Sequence, residues 1–279
     1  MSYYQYKTTK LYYEIYGEGQ PVLLIHGWSL DHNCFIGCMD PIFKESSQAY
    51  QRYYIDLPGM GKSEPGFVRN GDDIVEVLSA FIQVVIRERQ QTNKSEQVLL
   101  VGNSFGGMLA CGIAHQHPEL IKGMILIAGA TDCATRKLPP RKTYKEDKEF
   151  LASLSKEEYE DFYEMHMNLT KEAWNHYKTY IYPAVRANKT NDYLNHVLYG
   201  SLSYDLYEKN PDKQFQKPVL FVTGKQDTSV GYEDPFELSR CYPASTYTAI
   251  HGAGHNVWID QPEAFHDIVS SWMKYHYMN

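Results

Sequence analysis

The chain has 279 residues, of which 43% are hydrophobic, 22% charged and 14% aromatic. That is a globular composition, too apolar for a disordered chain and too poor in Gly and Pro for a fibrous one, and long enough for one large core with an insertion or two closely packed domains. A net charge of -7, from 27 basic and 34 acidic residues, argues against a nucleic-acid partner, which needs a basic surface. In chain order, residues 10–16 alternate as an antiparallel strand able to pair with residues 3–8. Residues 22–25, 98–101 and 124–127 are short apolar runs ending in Gly-containing turns, and 219–222 follows Pro218; such runs read as parallel strands buried on both faces. Residues 72–89 place Ile74, Val77, Leu78, Phe81 and Val85 on one helical face. The alternation predicts a doubly wound, mostly parallel α/β fold. It breaks between about 130 and 210, where Ser155 and Glu158 form a capping-box pattern. In the same stretch Phe150, Leu151, Leu154, Tyr159, Phe162, Tyr163 and His166 recur at helical spacing, and Trp174, Tyr177, Ile181 and Ala184 make a second stripe. A helical insertion is expected there. A strand at 245–250 and a helix at 262–275 close the chain.

Five cysteines, an odd number, do not suggest a disulfide framework. The first residues carry no apolar signal core, and no apolar run approaches the roughly 18 residues of a membrane span. A soluble, cytoplasmic protein in a reducing compartment is the expectation. Composition does not account for the 24 tyrosines.

The chemistry centres on Gly102-Asn103-Ser104-Phe105-Gly106, directly after a buried strand and before a helix. A serine on so sharp a strand-to-helix turn is lifted above the sheet, and the turn needs small residues two before and two after it. Gly102 and Gly106 supply them. A serine hydroxyl is a weak nucleophile and needs an oriented base. His255 in Gly252-Ala253-Gly254-His255 is the candidate base, with His251 and His26 as alternatives. Asp227 in Gly224-Lys225-Gln226-Asp227 is the candidate acid, although an Asp there can equally bond its own turn; Asp132 is the runner-up and Asp234 a weaker one. The order Ser, Asp, His is the one expected with this turn. The backbone N–H groups of Phe105 and of Trp28, in His26-Gly27-Trp28, are placed to form an oxyanion hole, with the Trp28 side chain lining the pocket.

These motifs, together with Asp56-Leu57-Pro58-Gly59-Met60-Gly61-Lys62-Ser63, resemble the α/β-hydrolase fold superfamily in its cap-bearing group, over nearly the whole chain. The resemblance implies that residues 1–129 and 211–279 form the core and that 130–210 form a lid. It also implies that Asp56 and Ser63 are architectural, and Ser104 argues against the dehalogenase and epoxide-hydrolase branches, which carry aspartate at the turn. The expected activity is cofactor-independent hydrolysis through an acyl-enzyme, by default of a small carboxylic ester. Amidase, carbon–carbon bond hydrolase and proline-removing aminopeptidase are alternatives; the last would need lid carboxylates in the pocket, from among Glu157, Glu158, Glu160 and Glu164. A non-catalytic small-molecule-binding protein is the rival from another class. Tyr163, Trp174 and Tyr177 are candidate lid aromatics for the pocket. Two decoys are set aside. Asp56 stands where a phosphate-binding loop wants its first Gly, and Cys34/Cys38, His115/His117 and His251/His255 make no four-ligand metal set. No metal is expected. Oligomeric state is not readable.

Overall fold

The computed structural model describes residues 2–90, 97–131, 136–203, 205–207 and 214–277. Strands β1 (Ser2–Tyr6) and β2 (Thr9–Tyr16) form an antiparallel hairpin in which Tyr3 lies opposite Tyr12. Tyr4 and Tyr13 pack on Phe81, so the tyrosine-rich start covers one edge of the core with rings that bury a face and keep a wet hydroxyl. There follow β3 (Gln20–Ile25), α1 (Asn33–Cys38), α2 (Asp40–Glu45), β4 (Tyr50–Ile55), α3 (Gly71–Gln90), β5 (Val98–Asn103), α4 (Phe105–Gln116) and β6 (Ile121–Ile127). The apolar runs read from sequence lie within β3, β5 and β6, at the end of β3 and β6 and at the start of β5.

Eight strands make one sheet in the order β1-β2-β4-β3-β5-β6-β9-β10, with β9 at Val219–Gly224 and β10 at Ser245–Ile250. β2 is antiparallel to both its neighbours, and the strands from β4 to β10 are parallel. Successive residues face opposite layers. Leu23, Leu100, Leu126 and Phe221 join the core under α3 and α4, while Leu24, Val101, Ile125 and Leu220 join the core that includes α1, α2 and the last helices, α11 (Val257–Asp260) and α12 (Pro262–Tyr277). A further helix, α10 (Glu233–Ser239), joins β9 to β10. Strand β3 lies between β4 and β5, so the direction of winding reverses between β3 and β5. The crevice beyond the carboxyl ends of strands at such a reversal is where α/β sheets bind ligands.

The described residues between β6 and β9 include the helices α5 (Lys148–Leu151), α6 (Lys156–Met165), α7 (Lys171–Tyr180), α8 (Tyr182–Asn188) and α9 (Asp192–His196). The capping box forms, with the Glu158 N–H bonded to Ser155 Oγ at 3.3 Å and the Ser155 N–H to Glu158 Oε2 at 3.0 Å. Two features differ from the sequence reading. A two-residue parallel strand pair, β7 (Lys145–Glu146) with β8 (Asn168–Leu169), sits within the insertion. The stripe from Trp174 to Ala184 is broken at Ile181, because Pro183 in the first turn of α8 cannot continue α7. Phe162, Trp174 and Tyr177 pack ring against ring with centroids 5.4–5.8 Å apart, forming an aromatic core continuous with that of α1. Tyr204 lies outside the described residues. Among those described, no helix is long and apolar enough to cross a membrane.

Candidate active site

The turn from β5 into α4 holds Ser104 at φ 52°, ψ −118°, a left-handed backbone that a residue with a Cβ rarely adopts. Its surroundings enforce this. The Ser104 N–H bonds the Ile127 carbonyl at 3.0 Å, and its own carbonyl accepts from the Gly107 and Ala130 N–H groups at 2.9 Å each. Gly106 allows α4 to start against the end of β3: a Cβ there would collide with the Ile25 carbonyl oxygen, and one at Gly102 would lie 2.5 Å from the Gly106 oxygen. These contacts are the physical content of the two small residues flanking the serine. They leave Phe105 at the helix start, where N–H groups lack intrahelical partners and negative charge is favoured.

The loop after β9 carries Asp227, fully buried. Its Oδ1 accepts from the N–H groups of Ser229 at 2.8 Å and Val230 at 3.0 Å. Its Oδ2 lies 2.8 Å from His255 Nδ1. The turn-forming role and the histidine-orienting geometry therefore coexist, one on each oxygen. A carboxylate acceptor on Nδ1 assigns the proton to that nitrogen and leaves Nε2 with a lone pair. Ser104, His255, Trp28 and Phe105 all line one cavity of about 560 Å³. Ser104 and His255 form no hydrogen bond with each other among the described residues, and catalytic contacts of this kind often tighten only around a substrate. The Trp28 and Phe105 N–H groups, too, have no acceptor among the described residues.

The alternatives fall elsewhere. His26 is fully buried, its Nδ1 donating to the Gly27 carbonyl at 2.7 Å and its Nε2 accepting from the Leu57 N–H at 2.8 Å, so it braces the ends of β3 and β4. His251 is exposed past β10, edge-on to Tyr144. Asp234 accepts from the Lys137 N–H at 2.9 Å, and Asp132 lies outside the described residues. The Asp56 carboxylate folds back on its own loop, accepting from the His32 and Lys62 N–H groups at 2.9 and 2.8 Å and lying 2.7 Å from His32 Nδ1. Ser63 Oγ donates to the Asp56 carbonyl at 2.6 Å. That geometry shapes a turn and offers a phosphate nothing. Cys34 and Cys38 are buried, and burial pushes both thiols up, which suits inert core residues.

Of the three insertion aromatics, Tyr177 lines the cavity. Trp174 packs between Phe162 and Tyr182, and Tyr163 stacks on Tyr159 beneath the Arg141 guanidinium; neither reaches the cavity. The remaining walls were not legible in the sequence. Leu30 lies in the turn after β3, and Met165, Ile181 and Val185 come from the insertion. The rim is charged. Asp161 pairs with Lys189 at 2.8 Å, and Arg136 donates to the Ser229 carbonyl at 2.9 Å. Glu164, an exposed residue of α6, also borders the cavity. Glu157 pairs with Lys189 at 3.0 Å and Glu160 with Lys156 at 3.7 Å.

Comparison with known proteins agrees with this fold. The pimeloyl-acyl-carrier-protein methyl ester esterase of Shewanella woodyi is 29% identical over 123 residues, a match spanning 44% of this chain and only 41% of that protein. The enzyme of that name from Yersinia enterocolitica is 26% identical over 276 residues, covering 93% of this chain and 96% of the relative. Among solved structures, an alpha/beta superfamily hydrolase from Oenococcus oeni superposes with a TM-score of 0.80 at 26% identity, covering 98% of each chain. The family model for the alpha/beta hydrolase fold matches residues 20–262. With the sheet order, the strained serine turn and this match over most of its length, the chain belongs to the α/β-hydrolase fold family.

Proposed function

We propose that this protein is a serine hydrolase that works through an acyl-enzyme, with a small carboxylic ester as substrate. The observation that carries the reading is the strained Ser104 turn opening on the same cavity as a histidine already held in the required tautomer by a buried carboxylate. In this mechanism His255 Nε2 takes the Ser104 proton as Oγ attacks the ester carbonyl. The Phe105 and Trp28 N–H groups bind the oxyanion, and Asp227 stabilises the His255 cation. The tetrahedral intermediate collapses, the alcohol leaves with the proton from His255, and the acyl group remains on Oγ. Water, deprotonated by His255, then releases the acid and restores Ser104. Residues 130–210 act as a lid whose apolar walls take the acyl part. The relatives named as esterases support an ester as the bond cleaved.

The test is Ser104→Ala. Hydrolysis of p-nitrophenyl esters and labelling by a fluorophosphonate probe are both lost, while the circular dichroism spectrum is unchanged. Probe labelling that survives this substitution would overturn the nucleophile assignment. Glu164 favours one second reading, removal of an amino-terminal residue whose ammonium would sit against that carboxylate. Aminoacyl arylamides assayed beside aryl esters separate the two.

A further inference from the structure

The loop that carries His255 is tied to the insertion on both sides of that residue. Asp260, buried at the end of α11, turns its carboxylate back over the loop. Oδ2 accepts from the Gly254 N–H at 2.7 Å, Oδ1 accepts from the Asn168 N–H at 2.9 Å, and the Met167 N–H lies 3.0 Å from both oxygens. The Asp260 carbonyl accepts from the Asn168 side chain at 2.6 Å. One carboxylate thus joins the residue before His255 to residues 167–168. On the other side, Asn256 Nδ2 donates to His166 Nε2 at 3.0 Å. His166 Nδ1 in turn donates to the Phe162 carbonyl at 2.9 Å, which fixes its tautomer. The packing is close: a Cβ on Gly254 would lie 2.9 Å from Met167 Cε and 3.0 Å from the Met165 carbonyl oxygen.

We propose that Asp260 is a positioning residue for the reaction, its carboxylate holding the His255 loop in register with the insertion that roofs the cavity. The proposal rests on His255 acting as the base. Stability alone is a poor account of an acid at this place. Burial pushes the Asp260 carboxyl up to about 6 from the ordinary 3.8, against the opposing pull of its N–H donors and of Arg141. The folded protein therefore holds that proton more tightly than the unfolded chain does, and folding stability falls as pH rises from about 4 to about 6. An ionised Asp260 near neutrality is kept at a cost to folding. Arg141 is the charge that acts on it; His255 follows Gly254 and His166 precedes Met167 on the two segments it joins, and Arg141, His255 and His176 act on His166. Burial pushes His166 down to about 3, so it stays neutral in this range, and burial also lowers His176.

The test uses the full chain and Asp260→Asn, a neutral side chain of nearly the same shape. Initial rates on a p-nitrophenyl ester are measured from pH 4 to 9, per active site counted by fluorophosphonate titration, with the folded fraction followed by circular dichroism. At pH 8 kcat falls about tenfold to a hundredfold, the scale of a misplacement of about 1 Å, and KM changes less than twofold. The wild-type to variant ratio closes toward one below about pH 5, where the wild-type residue is itself protonated. If the variant does not fold, the wild-type profile still decides: below pH 6 the acid limb of log(kcat/KM) steepens from slope one toward two. A wild-type kcat in the variant, a ratio that stays constant with pH, or a limb of slope one overturns the role of Asp260. Absence of any label on the wild-type protein would instead defeat the serine-hydrolase reading.

Discussion

Replacing Ser104 by alanine and, separately, by glycine isolates the backbone of the serine turn from its proposed chemistry. At φ 52°, ψ −118°, a residue with a Cβ carries a strain of about 1–3 kcal/mol. Alanine keeps the Cβ and the strain; glycine sheds both. Glycine also makes the unfolded chain freer, which offsets about 0.5–1 kcal/mol. Ser104 makes no side-chain cap bond at the start of α4, so neither variant forfeits one. With strain taken at about 2 kcal/mol, Ser104→Gly is more stable than Ser104→Ala by about 1 kcal/mol. In a chain of this size that is a rise in Tm of about 2 °C. Urea denaturation and thermal melts of the two variants measure the difference, and ester hydrolysis is lost in both. A glycine variant no more stable than the alanine variant would refute the claim that the turn is strained.

Two further outcomes are expected. Asp227→Asn keeps an oxygen for the Ser229 and Val230 N–H groups, so the loop survives, but its amide can present a donor to His255 and favour the wrong tautomer; kcat falls on the order of 10⁴-fold with an unchanged melting curve. Gly106→Ala drives a methyl group into the Ile25 carbonyl, where main chain and not a flexible side chain must yield, so the cost exceeds about 3 kcal/mol and appears as a lowered urea midpoint or loss of folded protein.

The sheet and the serine turn were legible because each is dictated by local pattern. Residues 22–25, 98–101 and 219–222 are apolar on both faces because their strands are covered on both sides. Gly102 and Gly106 stand where main chain meets main chain. The insertion was legible only as helix. Which face of α6 meets the cavity depends on how the helix sits on the core, and its periodicity gives Phe162 to the interior without saying that Asp161, Glu164 and Met165 turn toward the site. Trp174 and Tyr163 looked like pocket residues for the same reason, since aromatic content does not distinguish a helix's own core from a binding wall. Asp260 carried no signal at all. It stands just ahead of Pro262 like any acid at a helix start, and its partners beyond the His255 loop lie 92 and 93 residues away in the chain.

The loop of residues 56–63 is also a footing for the segment between β6 and β9. Asn191 Nδ2 donates to the Gly59 carbonyl at 2.9 Å, the Tyr193 ring lies on Gly59, and the Tyr193 hydroxyl reaches the Val68 carbonyl at 3.1 Å. A few residues on, the Tyr199 N–H bonds the Arg69 carbonyl at 2.8 Å and the Gly71 N–H bonds the Ser201 carbonyl at 3.0 Å. The far end of the insertion is thus moored to a turn whose shape is set by Asp56 and His32. Changes at that turn would reach residues 191–201, whose Gly200 borders the cavity, without touching Ser104, Asp227 or His255, which makes a motif that looks purely architectural a point from which the cavity wall can be shifted at a distance.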